Sequence, residues 1–435
     1  MNNDSQTRTS AATPVRWLVF VLACQTSWLF TLHRYTFALI KADLMKKWDL
    51  NNAEIGVIDS GFAIFYSLFQ FPAGMAADVF GVRMVLTLLI IIWSIGLALH
   101  AWAPGTRELW YARATLGIGQ SGALACLNRI SRQWFPCAIR STLQGLAAIT
   151  AGRLGGLSAN LLFPIVLIAW CGLDWQSAVV IFAACGIGHA LLFAALFRNT
   201  PQEHPWTNTA EAAYIAAGSG PPAARITIPE MLRSLSPPAF INFLALNVQT
   251  ILSTFADNIF SNWIPLFLLS VHQLKMQEMG FYSALPLLGG ALGGALGGVL
   301  NDWLIAWLGN RRWARRIVAI AGKGTAAVLI VAALAWYNQP YLFCSALFFV
   351  KFFSDWSLTT SWSVATDIGG RATASVFAFN NAVAGVGSIG APAVIGYVAQ
   401  HYNWPTVFVV VGATYALCAL SWFAIDCTRP LMRDS

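Results

Sequence analysis

The sequence predicts an all-α integral membrane protein with twelve transmembrane helices in two pseudo-symmetric six-helix bundles. Three observations lead to this prediction: the composition, a series of long apolar runs and a duplicated motif. Of the 435 residues, 57% are hydrophobic and 10% are charged, and the mean hydropathy is +0.62. Soluble domains carry roughly 25% charged residues, so a soluble fold would expose too much apolar surface.

Apolar runs of about 18 residues or more, enough to cross a bilayer, recur along nearly the whole chain. They do not alternate polar and apolar residues, which excludes a transmembrane barrel and leaves helices. The first run is too long for a signal-peptide core, so we interpret it as a retained span. The predicted spans 1 to 12 are 16–40, 54–76, 84–103, 108–131, 142–168, 175–197, 239–269, 280–305, 315–337, 340–366, 373–400 and 404–425.

A polar stretch rich in proline and glycine, from Asn199 to Pro238, separates six spans from six. Such a composition is typical of a linker. The predicted organisation is a tail (1–15), a six-helix bundle (16–197), a linker (198–238), a second six-helix bundle (239–425) and a second tail (426–435).

Loop charges predict the orientation. One set of loops and both tails holds sixteen basic residues, all arginines, whereas the other set holds five: Lys41, Lys46, Lys47, Arg107 and Lys275. The positive-inside rule then places both termini and the linker in the cytoplasm, in a cell inner membrane. Because the basic residues sit in short loops, the net charge of +8 does not indicate a nucleic-acid partner. We refer below to the arginine-rich side and the opposite side.

The two halves share a motif. Gly74 and Asp78 follow span 2, and Gly298 and Asp302 follow span 8, offset by 224 residues. Internal duplication is typical of transporters, whose substrate site lies between the repeats. Span 8 also carries two glycine stripes of spacing four, which favour close helix packing: Gly289, Gly293 and Gly297, and Gly290, Gly294 and Gly298.

Charged residues inside the spans indicate a wet cavity. Five are basic: Arg34, Arg113, Arg153, Lys323 and Lys351. The acids are Asp257 and Asp355, with Asp59 nearer the outer end of span 2. A charge at the bilayer centre costs at least ~2.5–3.5 kcal/mol, so most must face water or a partner. The positive excess indicates an anionic substrate, which cations in a low-dielectric cavity attract strongly.

Each charge has a structural alternative. Arg34 would bind a carboxylate or phosphate through its planar guanidinium, or extend to the interface. Arg113, close to the outer end of span 4, would line the site or extend to the interface, that is, snorkel, whereas for Lys323 we expect snorkelling. Lys351 and Asp355 lie four residues apart, hence on one helix face, and we expect them to neutralise each other.

The groups that would couple transport to an ion are less defined. Asp257 would pair with Arg34 across the halves, carry a proton, or serve as a structural partner. His33 would titrate near neutral pH or act as a structural hydrogen-bond donor. The roles of Arg153, Lys323 and Lys351 are not fixed by the sequence.

Other chemistry finds no support in the sequence. The eight cysteines are scattered singly, so they indicate neither a metal site nor a disulfide framework. The sequence contains no nucleotide-binding G-x-x-x-x-G-K-[ST] loop, which argues against ATP as the energy source. We predict no enzyme activity and no cofactor.

With these motifs, the sequence resembles the major facilitator superfamily over nearly its full length. Gly74-x-x-x-Asp78-x-x-Gly81-x-Arg83 matches the signature loop of the family. The resemblance implies that this loop helps lock one conformation by packing against the second half. The copy at Gly298 and Asp302 is weaker.

Within that superfamily the sequence resembles the anion:cation symporter branch, which moves sugar acids and other organic anions. The resemblance lies in Tyr66-x-x-x-Gln70-x-Pro72-x-Gly74, in Arg113-x-x-x-Gly117 with Trp134-Phe135-Pro136, and in Asn381 with Gly387 and Pro392. It implies that Arg34, Tyr66 and Asn381 contact the substrate.

Two departures concern coupling. Proton-coupled members of the branch commonly have an aspartate before the span 1 arginine, where this chain has His33, and often a glutamate at the position of Gln120. Either His33, Asp257 or Asp355 would carry the proton, or coupling uses another ion, exchange or none.

We therefore expect a monomeric secondary transporter in the lipid bilayer that moves a small organic anion by alternating access, coupled to protons or another ion. Arg34 would anchor the anionic group, and Tyr66, Gln70, Arg113, Tyr282 and Asn381 would line the site. Efflux of an amphipathic compound and a non-transporting sensor with a transporter fold are the alternatives.

Overall fold

The structure, a computed structural model, describes residues 12–217, 237–369 and 373–429. Parts of both predicted tails, residues 218–236 of the predicted linker and five of the sixteen arginines counted above lie outside the described residues: Arg8, Arg225, Arg233, Arg371 and Arg433.

The first half contains spans 1 to 6. Spans 1 to 4 are Val15–Trp48, Asn52–Phe80, Val82–Trp102, and Thr106–Ser121 with Ala123–Trp134, and span 6 is Trp175–Leu196. Span 5 consists of four consecutive helical segments: Cys137–Gln144, the π-helical Gly145–Thr150, Ala151–Leu161 and the π-helical Leu162–Trp170. The linker then forms a 3-10 turn, Pro201–Glu203, and a short helix, Thr209–Ala217.

The second half contains spans 7 to 12. They are Pro237–Asn262 with Ile264–Ser270, Met276–Leu308, Arg311–Ala332 with the 3-10 turn Ala333–Trp336, Pro340–Ser354 with Trp356–Gly369, Thr373–His401, and Trp404–Ser421. In the part of the chain that the structure describes, eleven spans, all except span 4, are long and apolar enough to cross a membrane. Span 4 carries Arg107, Arg113, Arg129 and Arg132 along its length, which lowers its hydropathy. The all-α prediction is confirmed.

The start and end of span 2 show how local sequence sets the helix bounds. The Asn51 side chain accepts from the Glu54 amide at 2.9 Å, and the Glu54 carboxylate accepts from the Asn51 amide at 2.9 Å. This reciprocal cap satisfies two amides that the first turn leaves free. The helix ends at Gly81, whose φ of 82° favours glycine.

Three spans break in mid-course, and the breaks carry polar groups into the bundle. Span 4 breaks at Gly122, span 7 at Trp263 and span 10 at Asp355. A helix that ends inside the bundle leaves carbonyl groups without intrahelical partners, and those carbonyls attract cations. Broken helices of this kind are tolerated at membrane depth only inside protein or beside a cavity.

The halves pack together along two pairs of spans. Spans 2 and 11 run antiparallel in contact: Ser60 Oγ donates to the Ile389 carbonyl at 3.1 Å, and Asn381 Nδ2 donates to Gln70 Oε1 at 3.0 Å. Spans 5 and 8 meet where Ser283 Oγ donates to Asn160 Oδ1 at 2.7 Å. The Ser60–Ile389 and Asn160–Ser283 contacts lie towards the opposite side, so the halves are closed together there. The Gln70–Asn381 bond lies nearer the arginine-rich ends of its two spans.

The two glycine stripes of span 8 have different surroundings. A Cβ at Gly289, Gly293 or Gly297 would lie 2.2, 1.9 or 2.7 Å from backbone atoms of span 10. This stripe is a packing surface that brings two helices into backbone contact. In the second stripe, a Cβ at Gly290 would lie 2.6 Å from Asp355 Oδ2, whereas a Cβ at Gly294 or Gly298 would meet nothing within 4 Å. The second stripe therefore packs at Gly290 and borders open space at the other two glycines.

Candidate functional site

Arg34 of span 1 lies between the halves and stacks on two aromatic rings of span 2. Its Cζ lies 4.8 Å from the centre of the Phe62 ring and 5.1 Å from that of Tyr66. The two rings stack on each other at 5.6 Å, so they form one surface that holds the guanidinium. Among the described residues, no carboxylate lies within ion-pair distance of Arg34.

A small cavity adjoins Arg34 at the closed end of the cleft. Its first-half lining is Arg34, Asp59, Phe62, Ala63 and Arg113, and its second-half lining is Asn258, Asn262, Ser388 and Pro392. The volume of about 10 Å³ is room for a single water molecule. An organic anion would therefore reach Arg34 from the arginine-rich side in this conformation.

Three buried charges, Lys41, Asp59 and Arg113, form what we call the Asp59 cluster. Lys41 Nζ donates to Asp59 Oδ2 at 2.8 Å, and Arg113 pairs with Asp59 Oδ1. Lys41 Nζ also donates to the Asn262 carbonyl of span 7 at 2.9 Å. Because span 7 breaks just after Asn262, that carbonyl has no helical partner. Its bond with Lys41 therefore connects the two halves.

A second group, which we call the Asp355 cluster, comprises Arg153, Asp257, Lys323, Lys351 and Asp355. Lys351 Nζ lies 2.6 Å from Asp355 Oδ1 and 2.8 Å from Asp257 Oδ1. Arg153 of span 5 reaches across the halves to Asp355 Oδ2 at 2.5 Å. These ion pairs join spans 5, 7 and 10.

Hydroxyl groups complete the Asp355 cluster. Tyr415 donates to Asp257 Oδ1 at 2.6 Å. Lys323 Nζ donates to Ser253 Oγ and Ser354 Oγ, both at 2.8 Å. No carboxylate in the described part of the chain lies within ion-pair distance of Lys323. Its ammonium also lies 4.8 Å from the centre of the Tyr415 ring and interacts with Asp257 at longer range.

The predicted substrate residues are not all brought together. Gln70 and Asn381 bond to each other across the halves, and Tyr66 lies beside Arg34. Tyr282 instead packs its ring 6.0 Å from that of Tyr341, in the first turn of span 10. It therefore lies near the opposite side rather than beside Arg34.

His33 and Gln120 take structural places inside the first half. His33 is fully buried, and its Nε2 donates to the Phe182 carbonyl of span 6 at 2.9 Å. Gln120 is also fully buried and donates to the Phe30 carbonyl at 2.8 Å. His33 faces spans 3 and 6, because a Cβ at Gly186 would lie 2.7 Å from its ring and 2.1 Å from Ser94 Oγ.

The signature loop bonds within the first half. Asp78 pairs with Arg129 of span 4, and its side chain is 68% exposed. Arg83 Nε donates to the Ala194 carbonyl at 2.8 Å, and its amide donates to Asn199 Oδ1 at 2.9 Å. A Cβ at Gly74 would be 3.9 Å from its nearest neighbour. In the second-half copy, Asp302 is exposed and Gly298 borders open space.

The structure corrects three of the expectations for charged residues. Lys41 was assigned to a loop, but span 1 continues to Trp48 and buries it. Snorkelling was one alternative for Arg113 and the expectation for Lys323, yet both are 1% exposed and bond inside the bundle. In each case the side chain has a carboxylate or hydroxyl partner on a neighbouring span.

Of the three alternatives for Asp257, the structure does not show the pairing with Arg34, because Lys351 and Tyr415 occupy that carboxylate. The expected pairing of Lys351 with Asp355 is present, but the two residues do not form an isolated pair, because Asp355 also pairs with Arg153.

Sequence reasoning missed the Asp59 cluster, although a signal for it exists. Lys41 lies seven residues before the end of span 1, and Asp59 lies seven after the start of span 2. Three residues connect these antiparallel helices, so the two side chains lie at one depth. The Arg153–Asp355 pair has no such signal, because its partners come from different halves.

Comparison with known proteins agrees with this architecture. The family model described as Major Facilitator Superfamily matches residues 22–311 and 303–433. The probable sulfoacetate transporter SauU of Cupriavidus necator is 26% identical over 94% of this chain and 94% of its own length. The D-galactonate transporter of Escherichia coli is 25% identical over 94% of this chain and 95% of its own length.

Among solved structures, the D-xylose-proton symporter superposes with a TM-score of 0.73, at 16% identity, over 96% of this chain and 99% of its own. At that identity the similarity concerns the fold. The curated relatives are named as transporters rather than enzymes.

Proposed function

The chain belongs to the major facilitator superfamily, and from this premise we propose that it is a secondary active transporter of a small organic anion, such as a sugar acid. The observation that carries the proposal is Arg34. It faces the cleft on a ring surface, and no described carboxylate neutralises it, whereas Lys41, Arg113, Arg153 and Lys351 each have one.

Electrostatics supports an anion at this point. A guanidinium in a partly desolvated cleft is costly unless an anion accompanies it. Its fork matches a carboxylate or sulfonate through two parallel hydrogen bonds. Tyr66, Gln70 and Asn381 would supply polar contacts for the rest of the substrate. The named substrates of the relatives, sulfoacetate and D-galactonate, are small organic anions.

We propose further that transport is coupled to a proton or another cation through Asp257. Of the three candidate groups, its side chain is the most exposed at 27%, whereas Asp355 and His33 are buried. The groups facing Asp257 are Lys323, Lys351, Tyr415 and Ser354. A substrate anchored at Arg34 whose remaining polar groups reach these lysines would compete for them and leave Asp257 to take up a cation.

The proposal includes alternating access by a monomer in the inner membrane, with both termini and the linker in the cytoplasm. The excess of arginine in the loops on that side supports this orientation. The cleft would then face the cytoplasm in the present conformation.

The experiment is uptake into proteoliposomes of labelled D-galactonate and of D-galactose, its uncharged counterpart. We expect the vesicles to take up D-galactonate but not D-galactose, and an inward proton gradient to drive accumulation of D-galactonate. The variant Asp257→Asn should keep exchange of internal for external acid and lose accumulation. Equal uptake of the sugar and the acid would refute the anion site, and accumulation by Asp257→Asn would refute its coupling role.

A further inference from the structure

The Asp355 cluster carries one positive charge more than its carboxylates balance. Arg153, Lys323 and Lys351 face Asp257 and Asp355. Lys323 is 1% exposed and donates only to two serine hydroxyls among the described residues. Asp257 interacts electrostatically with Lys323 as well as with Lys351. Two carboxylates are thus shared among three cations, and an uncompensated buried charge is strongly unfavourable, so the cluster is suited to accept an anion.

The cluster is partly accessible. The side chain of Arg153 is 20% exposed and that of Asp257 is 27% exposed. A Cβ at Gly290 of span 8 would lie 2.6 Å from Asp355 Oδ2, so this glycine packs directly on the ion pair. One and two turns further along the same stripe, Gly294 and Gly298 border open space. The stripe therefore leaves room beside the cluster.

Span 1 connects this cluster to Arg34. Tyr35 follows Arg34 in the chain, and a Cβ at Gly156 would lie 3.2 Å from the Tyr35 ring. Gly156 lies one helical turn from Arg153 on span 5. Arg34 and Arg153 therefore lie at similar depth near the Tyr35 ring, and both border residues of the second half.

We propose that the Asp355 cluster is a second anion-binding subsite and that the substrate is a dianion. One anionic group binds Arg34, and the other binds Arg153 with help from Lys323. This inference rests on the proposed function and adds the charge of the substrate to it.

In the present structure Asp355 occupies the place of the second anionic group. Its Oδ2 forms an ion pair with Arg153 Nη2 at 2.5 Å, across the halves. When the substrate displaces it, Asp355 keeps its bond to Lys351 at 2.6 Å and is not left unpaired. The exchange of one carboxylate for another on Arg153 conserves the charge-assisted hydrogen bonds, so the second group binds without a large penalty.

The experiment uses pairs of acids that differ only in a terminal CH₂OH or carboxylate: D-gluconate with D-glucarate, and 4-hydroxybutyrate with succinate. Equilibrium binding of each labelled acid is measured on the purified full chain. We expect at least one dianion to bind about tenfold or more tightly than its partner. The ratio should approach one in Arg153→Gln and in Lys323→Gln, whose monoanion affinity stays near that of the wild type.

Asp355→Asn gives a result that a structural role would not produce. Removal of the competing carboxylate should tighten binding of the dianion several-fold without tightening the monoanion. The matched control is Arg315→Gln, which breaks an Arg–Asp pair with Asp367 at 2.7 Å at the far end of span 10 and should leave the ratio unaltered.

Three outcomes would overturn the inference: tighter monoanion binding in both pairs, equal effects of Arg153→Gln on both acids of a pair, or weaker dianion binding in Asp355→Asn. If Arg34→Gln abolishes binding of all acids while Arg153→Gln leaves the ratio unaltered, the proposed function stands and the dianion subsite falls.

Discussion

Arg153 of span 5 and Asp355 of span 10 form an ion pair across the two halves, with Nη2 and Oδ2 2.5 Å apart. Asp355 lies where span 10 breaks between Ser354 and Trp356, and Gly290 of span 8 packs against the pair. A charge pair in this position ties three spans together at the depth of the cleft. Its exchange for a substrate anion would change how the halves are held.

The first prediction concerns adjacent glycines of span 8. Gly293→Ala should lower the free energy of unfolding by about 3 kcal/mol, at the upper end of overpacking effects, because the new methyl would lie 1.9 Å from the Phe352 carbonyl oxygen. Gly294→Ala should cost nothing, since its Cβ would meet no atom within 4 Å. Thermal unfolding in detergent compares the two variants. Equal midpoints would contradict the packing assigned to the two stripes.

The second prediction separates two glycines of the signature loop. Gly81→Ala should destabilise the protein by about 1–2 kcal/mol, because φ is 82° and the methyl would lie 2.7 Å from Asn199 Nδ2. Gly74→Ala should leave the unfolding midpoint unaltered, as its nearest neighbour is 3.9 Å away. A lowered midpoint for Gly74→Ala would show that the loop is packed more tightly than described.

The third prediction concerns closure at the opposite side. Lys41→Gln removes the charged bond to the Asn262 carbonyl, worth roughly 1.5–3 kcal/mol. The fraction of molecules in which the two halves are separated on that side should rise about tenfold or more. Spin labels at Ala53 and His401, in a background without native cysteines, report the distance between spans 2 and 11. The control is Lys47→Gln, an exposed residue at the end of span 1, and an identical distribution in both variants would contradict the role of Lys41.

The fourth prediction concerns the start of span 1. Glu211 of the linker helix is buried and accepts from the Arg16 amide at 3.0 Å and from the Val15 amide at 3.3 Å. It thus caps the positive end of the helix and pairs with Arg16 Nη1 at 3.3 Å. Glu211→Ala should cost about 2 kcal/mol, measured by thermal unfolding. Glu203→Ala, exposed in the same linker, should cost nothing, and equal losses would argue against the cap.

The sequence was sufficient to predict the spans, because a bilayer imposes a minimum apolar length. Arg34 was also predictable, since a cation deep in span 1 needs water or an anion. The place of span 4 in this series depended on its position between spans 3 and 5, because its arginines reduce the apolar signal.

The partners of the buried charges were not predictable from one sequence. Which face of a helix meets which neighbour depends on the rotation and tilt of each span, and these follow from packing. Asp257 therefore pairs with Lys351 rather than with Arg34, and Lys323 donates to Ser253 and Ser354 rather than extending to the interface. The helix breaks at Trp263 and Asp355 add to the difficulty, because a break changes the face that each following residue presents.

The most direct test of the anion site is the concentration dependence of D-galactonate uptake by Arg34→Gln and Arg34→Lys. We predict that KM rises roughly 100-fold in Arg34→Gln, corresponding to about 3 kcal/mol, and by a smaller factor in Arg34→Lys, which keeps the charge but loses the fork. An unaltered KM in Arg34→Gln would contradict an anion held at Arg34.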